Sequence, residues 1–535
     1  MIKRFLIFFL IILSSCQPAF AQTTDLQKVR VSDFSGGQNS KTFFDKIEVN
    51  EGSSVINADI SSKGQAVQRK GQSLFLTDVG STAFSGLGAF YLDSQTSYHL
   101  VASGTTVVRN GPTDWIQIST SSMGSGFDTG FVQANSTEFI YNGNANTAWW
   151  DGTNWNAGGS WPTSPPVATT SAWLANYLFL AGDPLHTDWV FFSSNLVPTS
   201  FPAVNVRKIN TGDGQAITKL LPFRLSELIV YKERSIFDLD ISGDPAVDGF
   251  TVTPITKDVG TPAPRSVVFL GNDQWFLSSP PYAVRALTRT QFDKILVDIM
   301  SRPIQDIFDG TGDRILNTVH VAKSAAILYE NKYILAIPTG DSSVNDFVVL
   351  YDFLTKSWWT IDGWYPKDWL VKDNLLYYTD ANDGRVVKCF TGTTGDFGTV
   401  ATSTSGPTTA IAYEYASRGI DGGWPENYKN LDSISVEFLP TGNYDATIAI
   451  NLDSGGWQDI GTVNLLGNAL TLPFTLPATL TSDGIRIKLI PAQQYGKFKR
   501  IQVRVRMAGV DQIAYLQAIN VYFRIRPWNR SDDQN

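Results

Sequence analysis

AAILYENKYILAIPTG (residues 325–340) followed by NDFVVLYDFLTKSWWTIDGW (residues 345–364) reads as strand, turn, strand, excursion, strand, turn, strand. Two apolar runs flank Glu330-Asn331-Lys332, and a further strand ends in Trp358-Trp359. Strand groups of this kind, recurring at intervals of about 40–50 residues, are the signature of four-stranded propeller blades. Working outward, comparable units fall at residues 86–118, 130–155, 172–193, 217–239, 266–287 and 369–390, each with an aromatic residue near a strand end. The reading is an all-β chain with a β-propeller of about seven blades over residues 76–397. One interruption is expected. Residues 291–307, QFDKILVDIMSRPIQDI, place Phe292, Ile295, Leu296, Ile299 and Met300 at helical spacing before Pro303, which predicts a helix packed between blades.

Composition agrees with this class. The 535 residues include 15 Trp, 19 Tyr, 44 Gly and 25 Pro, a mixture that favours pleated strands joined by tight turns. A chain this long exceeds what one core usually organises, so a propeller with an appendage is expected. The formal charge of −8 argues against a general nucleic-acid-coating role, which needs clustered Lys and Arg. With only Cys16 and Cys389, no intrachain disulfide framework is expected. His99, His186 and His320 are widely separated and match no zinc spacing, so neither metal nor other cofactor is expected.

After residue 391 the sequence TGTTGDFGTVATSTSGPTT reads as a linker, and a different pattern follows. Strict alternation in Ile485-Arg486-Ile487-Lys488-Leu489, in residues 501–507 (IQVRVRM) and in residues 521–526 (VYFRIR) predicts strands with one buried and one charged face. The expectation is a C-terminal β-sandwich over residues 410–527, with 528–535 as a tail. Its outward faces would carry Arg486, Lys488, Arg504, Arg506, Arg524 and Arg526. If those strands are neighbours they form a cationic docking face, for an acidic partner subunit or for DNA passing through a lumen. The plainer alternative is a solvated sheet face whose charges deter edge pairing.

The N-terminal segment 29–75 carries Phe34, Gly36, Gly37 and Asn39 as F-x-G-G-x-N, Asn57 and Asp59 as N-x-D, and Arg69 and Gly71 as R-x-G. Further on stand G-D-G-x-x-I-T-x-L-x-P-F at 212–223, L-x-V-Y-K-x-R-S-I-F at 228–237 and F-L-G-N-D-x-W-F-L-S at 269–278. These elements resemble the opening and inner-blade strands of the tail and neck (nozzle or hub) propeller proteins of tailed bacteriophages. The resemblance implies a structural role in a homo-oligomeric ring with other tail subunits, located in the virion. Segment 29–75 would then complete the last blade or reach a neighbouring subunit.

Catalytic signatures are weak, and no catalytic residue is assigned. Asp238 with Asp240, or Asp93, would serve a glycosidase only if the fold brought two carboxylates together. Asp380-Ala381-Asn382-Asp383-Gly384 imitates the start of a calcium loop, but position twelve is Thr391, so a hairpin turn is the better reading. Residues 1–22 resemble a secretory leader: Lys3 and Arg4, an apolar run at 5–13 too short to span a bilayer, and Ala19-Phe20-Ala21. Two processing sites compete, cleavage after Ala21 and a lipobox-like Leu13-Ser14-Ser15-Cys16. Either would suit a second class of function, a secreted or lipid-anchored propeller that binds a protein or glycan, located as a periplasmic, secreted or outer-membrane lipoprotein form.

Overall fold

Tight turns set the strand spacing. Ala175-Asn176, Glu330-Asn331 and Asp373-Asn374 each place two consecutive residues at positive φ, the two-residue turn whose twist matches that of the strands it joins. A computed structural model describes residues 25–43, 46–60, 64–76, 83–243, 249–289, 295–391, 395–396, 409–466 and 486–526. The leader with Cys16 and Ala21, residues 397–408 of the linker and the 528–535 tail lie outside these residues.

Five antiparallel four-stranded sheets follow one another at residues 84–117, 130–156, 170–208, 217–256 and 268–299. A sixth joins Pro366–Lys372, Leu375–Asp380 and Val386–Cys389 to an N-terminal strand. We number the N-terminal strands β1 (Gln27–Val31), β2 (Gly37–Gln38), β3 (Glu51–Ile56), β4 (Ala58–Asp59), β5 (Ala66–Gln68) and β6 (Gln72–Leu74). β6 is the strand that completes the sixth sheet, with Gln72 opposite Cys389 and Leu74 opposite Val387. First strands of successive sheets touch, and Pro366–Lys372 returns to touch Phe84–Tyr91, so the sheets are blades around an axis.

Six blades therefore stand as separate sheets, fewer than the expected seven or so. The unit whose sequence is the clearest, residues 325–362, does form a four-stranded meander between the fifth and sixth blades, but it is not free-standing. Its last strand, Ser357–Asp362, pairs in parallel with β2 and β3, and the sheet runs on through Tyr413–Ser417, Ile501–Met507, Asp445–Leu452 and Trp457–Asn464 to ten strands. The continuation depends on residues far away in the chain, which the local pattern does not reveal.

The C-terminal strands likewise do not make an independent appended unit. Tyr515–Ile525, Lys429–Phe438, Arg486–Pro491 and Lys497–Phe498 share a seven-stranded sheet with β1, β4 and β5. This sheet and the ten-stranded one face each other across a single apolar cluster, where Val436, Ile519 and Val521 meet Tyr415, Val503 and Ile448. The cluster continues into Trp359 and Leu350 of the meander and Tyr378 of the sixth blade.

The helix expected at 291–307 is mostly absent. Ile295–Ile299 is instead the outer strand of the fifth blade, paired with Val284–Arg289. A short apolar run fits both periods, and the open sheet edge supplies its hydrogen bonds. Pro303 lies in the 3-10 turn Arg302–Ile304 and leads into one helical turn, Gln305–Asp309, rather than ending a helix. Among the described residues no helix is long and apolar enough to cross a membrane. Tryptophans pack between sheets: Trp275 of the fifth blade lies 5.4 Å from Tyr333 and 4.9 Å from Tyr351 of the meander, ring centre to ring centre. Each such ring buries about 150–250 Å² and dominates the local packing energy.

Candidate functional site

The predicted basic residues do not form one face. Arg504 and Arg506 lie on the outer side of Ile501–Met507 in the ten-stranded sheet, whereas Arg524 lies on the outer side of Tyr515–Ile525 in the other sheet. The two outer sides point away from each other across the shared core. Each cation also has an acidic neighbour: Arg506 pairs with Asp459 at 2.6 Å, Arg504 stands 3.9 Å from Glu414, and Arg524 stands 4.0 Å from Asp432. The exposed Arg506–Asp459 pair contributes little to stability, and all three acids cancel charge locally. Arg526 follows the end of its strand, where its backbone N–H donates to the Tyr428 carbonyl.

Arg486 and Lys488 are a correction of phase. Lys488 is opposite Val436 and Arg486 is opposite Phe438, so both positions belong to the core-facing side of Arg486–Pro491. Lys488 escapes burial at the sheet margin and donates its Nζ to the Thr462 carbonyl at 2.6 Å. The side facing solvent carries Ile487 and Leu489, 57% and 56% exposed. Alternation fixes which residues share a side but not which side is inward.

Arg504 belongs to a cleft of about 430 Å³ lined by the ten-stranded sheet and the 306–314 turn region. Its guanidinium lies 4.4 Å from the Trp457 ring centre, with burial holding its pKa below the ordinary arginine range. Ser54 donates to Glu414, Gln502 donates to Ser53, and Ser40 donates to Asp306 at 2.7 Å. Burial raises the Asp306 carboxyl above its usual range. The cleft is lined mainly by polar side chains, with Trp457 and Phe347 as its aromatic residues. Sequence reading missed Trp457, Glu414 and Asp306, because three separate segments bring them together.

Residues of the N-terminal motif act as joints. Gly37 has φ +71°, and a Cβ there would stand 2.3 Å from the Trp358 carbonyl oxygen, so only glycine fits where β2 meets the meander. Phe34 is fully buried edge-on to Tyr415 at 4.7 Å. Asn39 bonds the Glu51 carboxylate at 2.9 Å. Asn57 takes its backbone N–H to Thr360, its amide to Ala412 and its Oδ1 to Arg69 Nε. Asp59 closes β4 opposite Val67, and the Gly71 carbonyl accepts from the Thr391 N–H.

The candidate carboxylates have local partners. Asp93 accepts the backbone N–H groups of Gln95 and Thr96, which hold its pKa below the usual range. Asp238 and Asp240 sit two apart on Ile236–Asp240, opposite Ile229 and Glu227. Asp380–Gly384 is a hairpin turn, with Asp380 accepting from the Asn382 N–H and Arg385 pairing to Asp383 at 2.6 Å. Among the described residues no three potential metal ligands converge.

No protein-family model and no curated protein sequence matches the chain. Solved structures with a similar outline include BamB from Moraxella catarrhalis, at 10% identity over 57% of this chain and 82% of that one, with a TM-score of 0.36. Another is BBS1N in complex with ARL6DN, at 10% identity over 60% and 98%, with a TM-score of 0.41. A third is the extracellular domain of the putative hybrid two component system BT3049 from B. thetaiotaomicron, at 10% identity over 71% and 46%, with a TM-score of 0.39. None of the three bears on a tail assembly.

Proposed function

We propose that the chain is a non-enzymatic structural subunit of a phage or prophage tail or neck, assembling with copies of itself and other tail subunits into a ring-shaped conduit. The observation that carries this reading is the threading of the N-terminal segment. β6 completes the sixth blade, β2 and β3 bind the meander to Tyr413–Ser417, and β1 and β5 pair with Tyr515–Ile525. One segment thus ties the sixth blade and the neighbouring meander to both C-terminal sheets, which suits a block that bears load rather than one that opens and closes. In this reading the 325–362 meander serves as a seventh blade, and the two facing sheets serve as a β-sandwich fused to it. DNA would pass through the lumen of the ring without sequence-specific contact.

The leader-like residues 1–22 favour a second reading, a secreted or lipid-anchored propeller that binds a protein or glycan. Intact mass and N-terminal peptide mapping of the protein from purified virions and from cell envelopes separate the two. Recovery in virions, with ring particles in electron micrographs, supports the tail subunit. Recovery only from envelopes, processed at Cys16 or Ala21, overturns it.

A further inference from the structure

A second cavity, about 370 Å³, lies on the propeller axis. Leu87, Phe131, Thr169, Lys219, Arg265 and Asp368 line it, each from a different blade and each near the start, or just ahead, of that blade's first strand. Arg265 crosses the axis. Its Nη2 donates to the carbonyls of Ser85 at 3.0 Å and Thr129 at 3.2 Å, and it stands 3.9 Å from Asp368 and 3.8 Å from Asp128. Asp368 is held in place by the backbone N–H groups of Leu87 and Trp369, each at 3.0 Å. Lys367 stands at the rim, 3.4 Å from Asp128.

Lys219 differs from all of these. Its ammonium has no hydrogen-bond acceptor and no carboxylate within ion-pair distance among the described residues, although it feels the charge of Asp368. It lines the open pocket, and its three donors are free for a ligand there. Burial holds its pKa below the ordinary lysine range and raises that of Asp368. Burial also opposes ionisation of Asp128, but Arg265 and Lys367 outweigh it and keep that carboxyl low.

We propose that the axial pocket binds a small organic carboxylate, its charged head between Lys219 and Arg265 and its apolar part against Leu87, Phe127 and Phe131. Charge selects the class. Lys219 and Arg265 face Asp128 and Asp368 within the lining, and Lys367 and Lys323 add positive charge beside Asp128, so the surroundings are net positive and an anion is the charge that fits. The two fixed acids in the lining penalise each further negative charge on the head, so a monoanion is the better fit and inorganic phosphate the poorer one. The apolar walls give an acyl or aryl carboxylate an advantage over acetate.

The test is calorimetric titration of the full chain with acetate, phenylacetate, 4-phenylbutyrate and inorganic phosphate, repeated on K219M and K219Q. The expected result is saturable binding of the aryl carboxylates, weaker binding of acetate, and a loss of about tenfold or more in both variants, as follows when a charge-assisted hydrogen bond is removed. K367Q at the rim, a variant that leaves the axis intact, should give a smaller loss. Absence of binding by every probe at millimolar concentration overturns the proposal. So does equal binding by wild type and K219M, or a preference for phosphate. Thermal melts without ligand show that the variants are folded.

Discussion

The fully buried guanidinium of Arg69 lies over the indole of Trp364, 4.7 Å from the ring centre, and pairs along its edge with the Asp396 carboxylate. Both terminal nitrogens of Arg69 reach Asp396, Nη1 at 2.9 Å, and Nε donates to Asn57 at 2.7 Å. Removing one partner of a buried pair leaves the other charge without compensation and costs about 3–5 kcal/mol. R69M should therefore lower stability by that order in chemical denaturation. An R69M/D396L double variant, which removes both charges, should recover much of the loss, and a double variant as unstable as R69M would show that the stacking on Trp364 matters more than the ion pair.

Gly37→Ala tests the joint between β2 and the meander. The substitution meets both a left-handed φ of +71° and the Trp358 carbonyl at 2.3 Å, so backbone must move. Gly104 is the control, with φ +57° and open space around its Cβ position. G104A should cost about 1 kcal/mol, the ordinary strain of an L-residue there. G37A should cost clearly more, or give no soluble protein. Equal melting temperatures for the two variants would mean that β2 yields easily and is not a joint.

Much of the fold is legible in the sequence because blades are local. Strand, turn and strand in 325–340 depend on neighbours such as Glu330 and Asn331, whose positive φ values the short polar turn supplies. What is not legible depends on distant residues. Nothing near Ser357–Asp362 indicates that β2 and β3 will pair with it, and nothing in Ile485–Leu489 says which alternate set faces inward. The basic residues misled for the same reason: their types and spacing are plain, but the acids beside them, Glu414, Asp432 and Asp459, lie in other strands. The axial pocket is not legible because its lining is gathered from segments spread between Leu87 and Asp368.

His99 makes the seam between the first and sixth blades sensitive to acid. It is 4% exposed, its ring packs 4.3 Å from Phe75 and 4.8 Å from Tyr377, and neither ring nitrogen has a hydrogen-bond partner. Burial first, then Lys372, lowers its pKa from 6.5 to about 4, against a smaller opposing effect of Asp373. The unfolded chain therefore binds a proton that the folded chain refuses between pH 6.5 and about 4, so stability falls as pH drops through that window. The loss attributable to this residue approaches about 3 kcal/mol. Chemical denaturation at several pH values should show a shallower acid decline in H99F than in wild type, and parallel declines would remove His99 from the account.

Exposed Ile487 and Leu489 offer a direct reading of assembly. They lie on Arg486–Pro491, the last strand of the seven-stranded sheet among the described residues, with their side chains on the solvent side. An edge strand with an apolar outer side attracts pairing, and natural sheets usually protect such edges with charge. The only nearby lysine on that strand, Lys488, is turned to Thr462 and offers no such protection. If the chain builds rings, this margin is a strong place for one copy to meet another. An I487S/L489S variant should keep the wild-type melting temperature, because surface changes of this kind alter stability by only about 0.5 kcal/mol. It should also lose higher-order species in analytical ultracentrifugation. Unchanged assembly would move the subunit contact elsewhere, to the exposed Leu225 and Phe269 of the fourth and fifth blades. A monomeric wild type over the whole accessible concentration range would count against self-assembly through any of these surfaces.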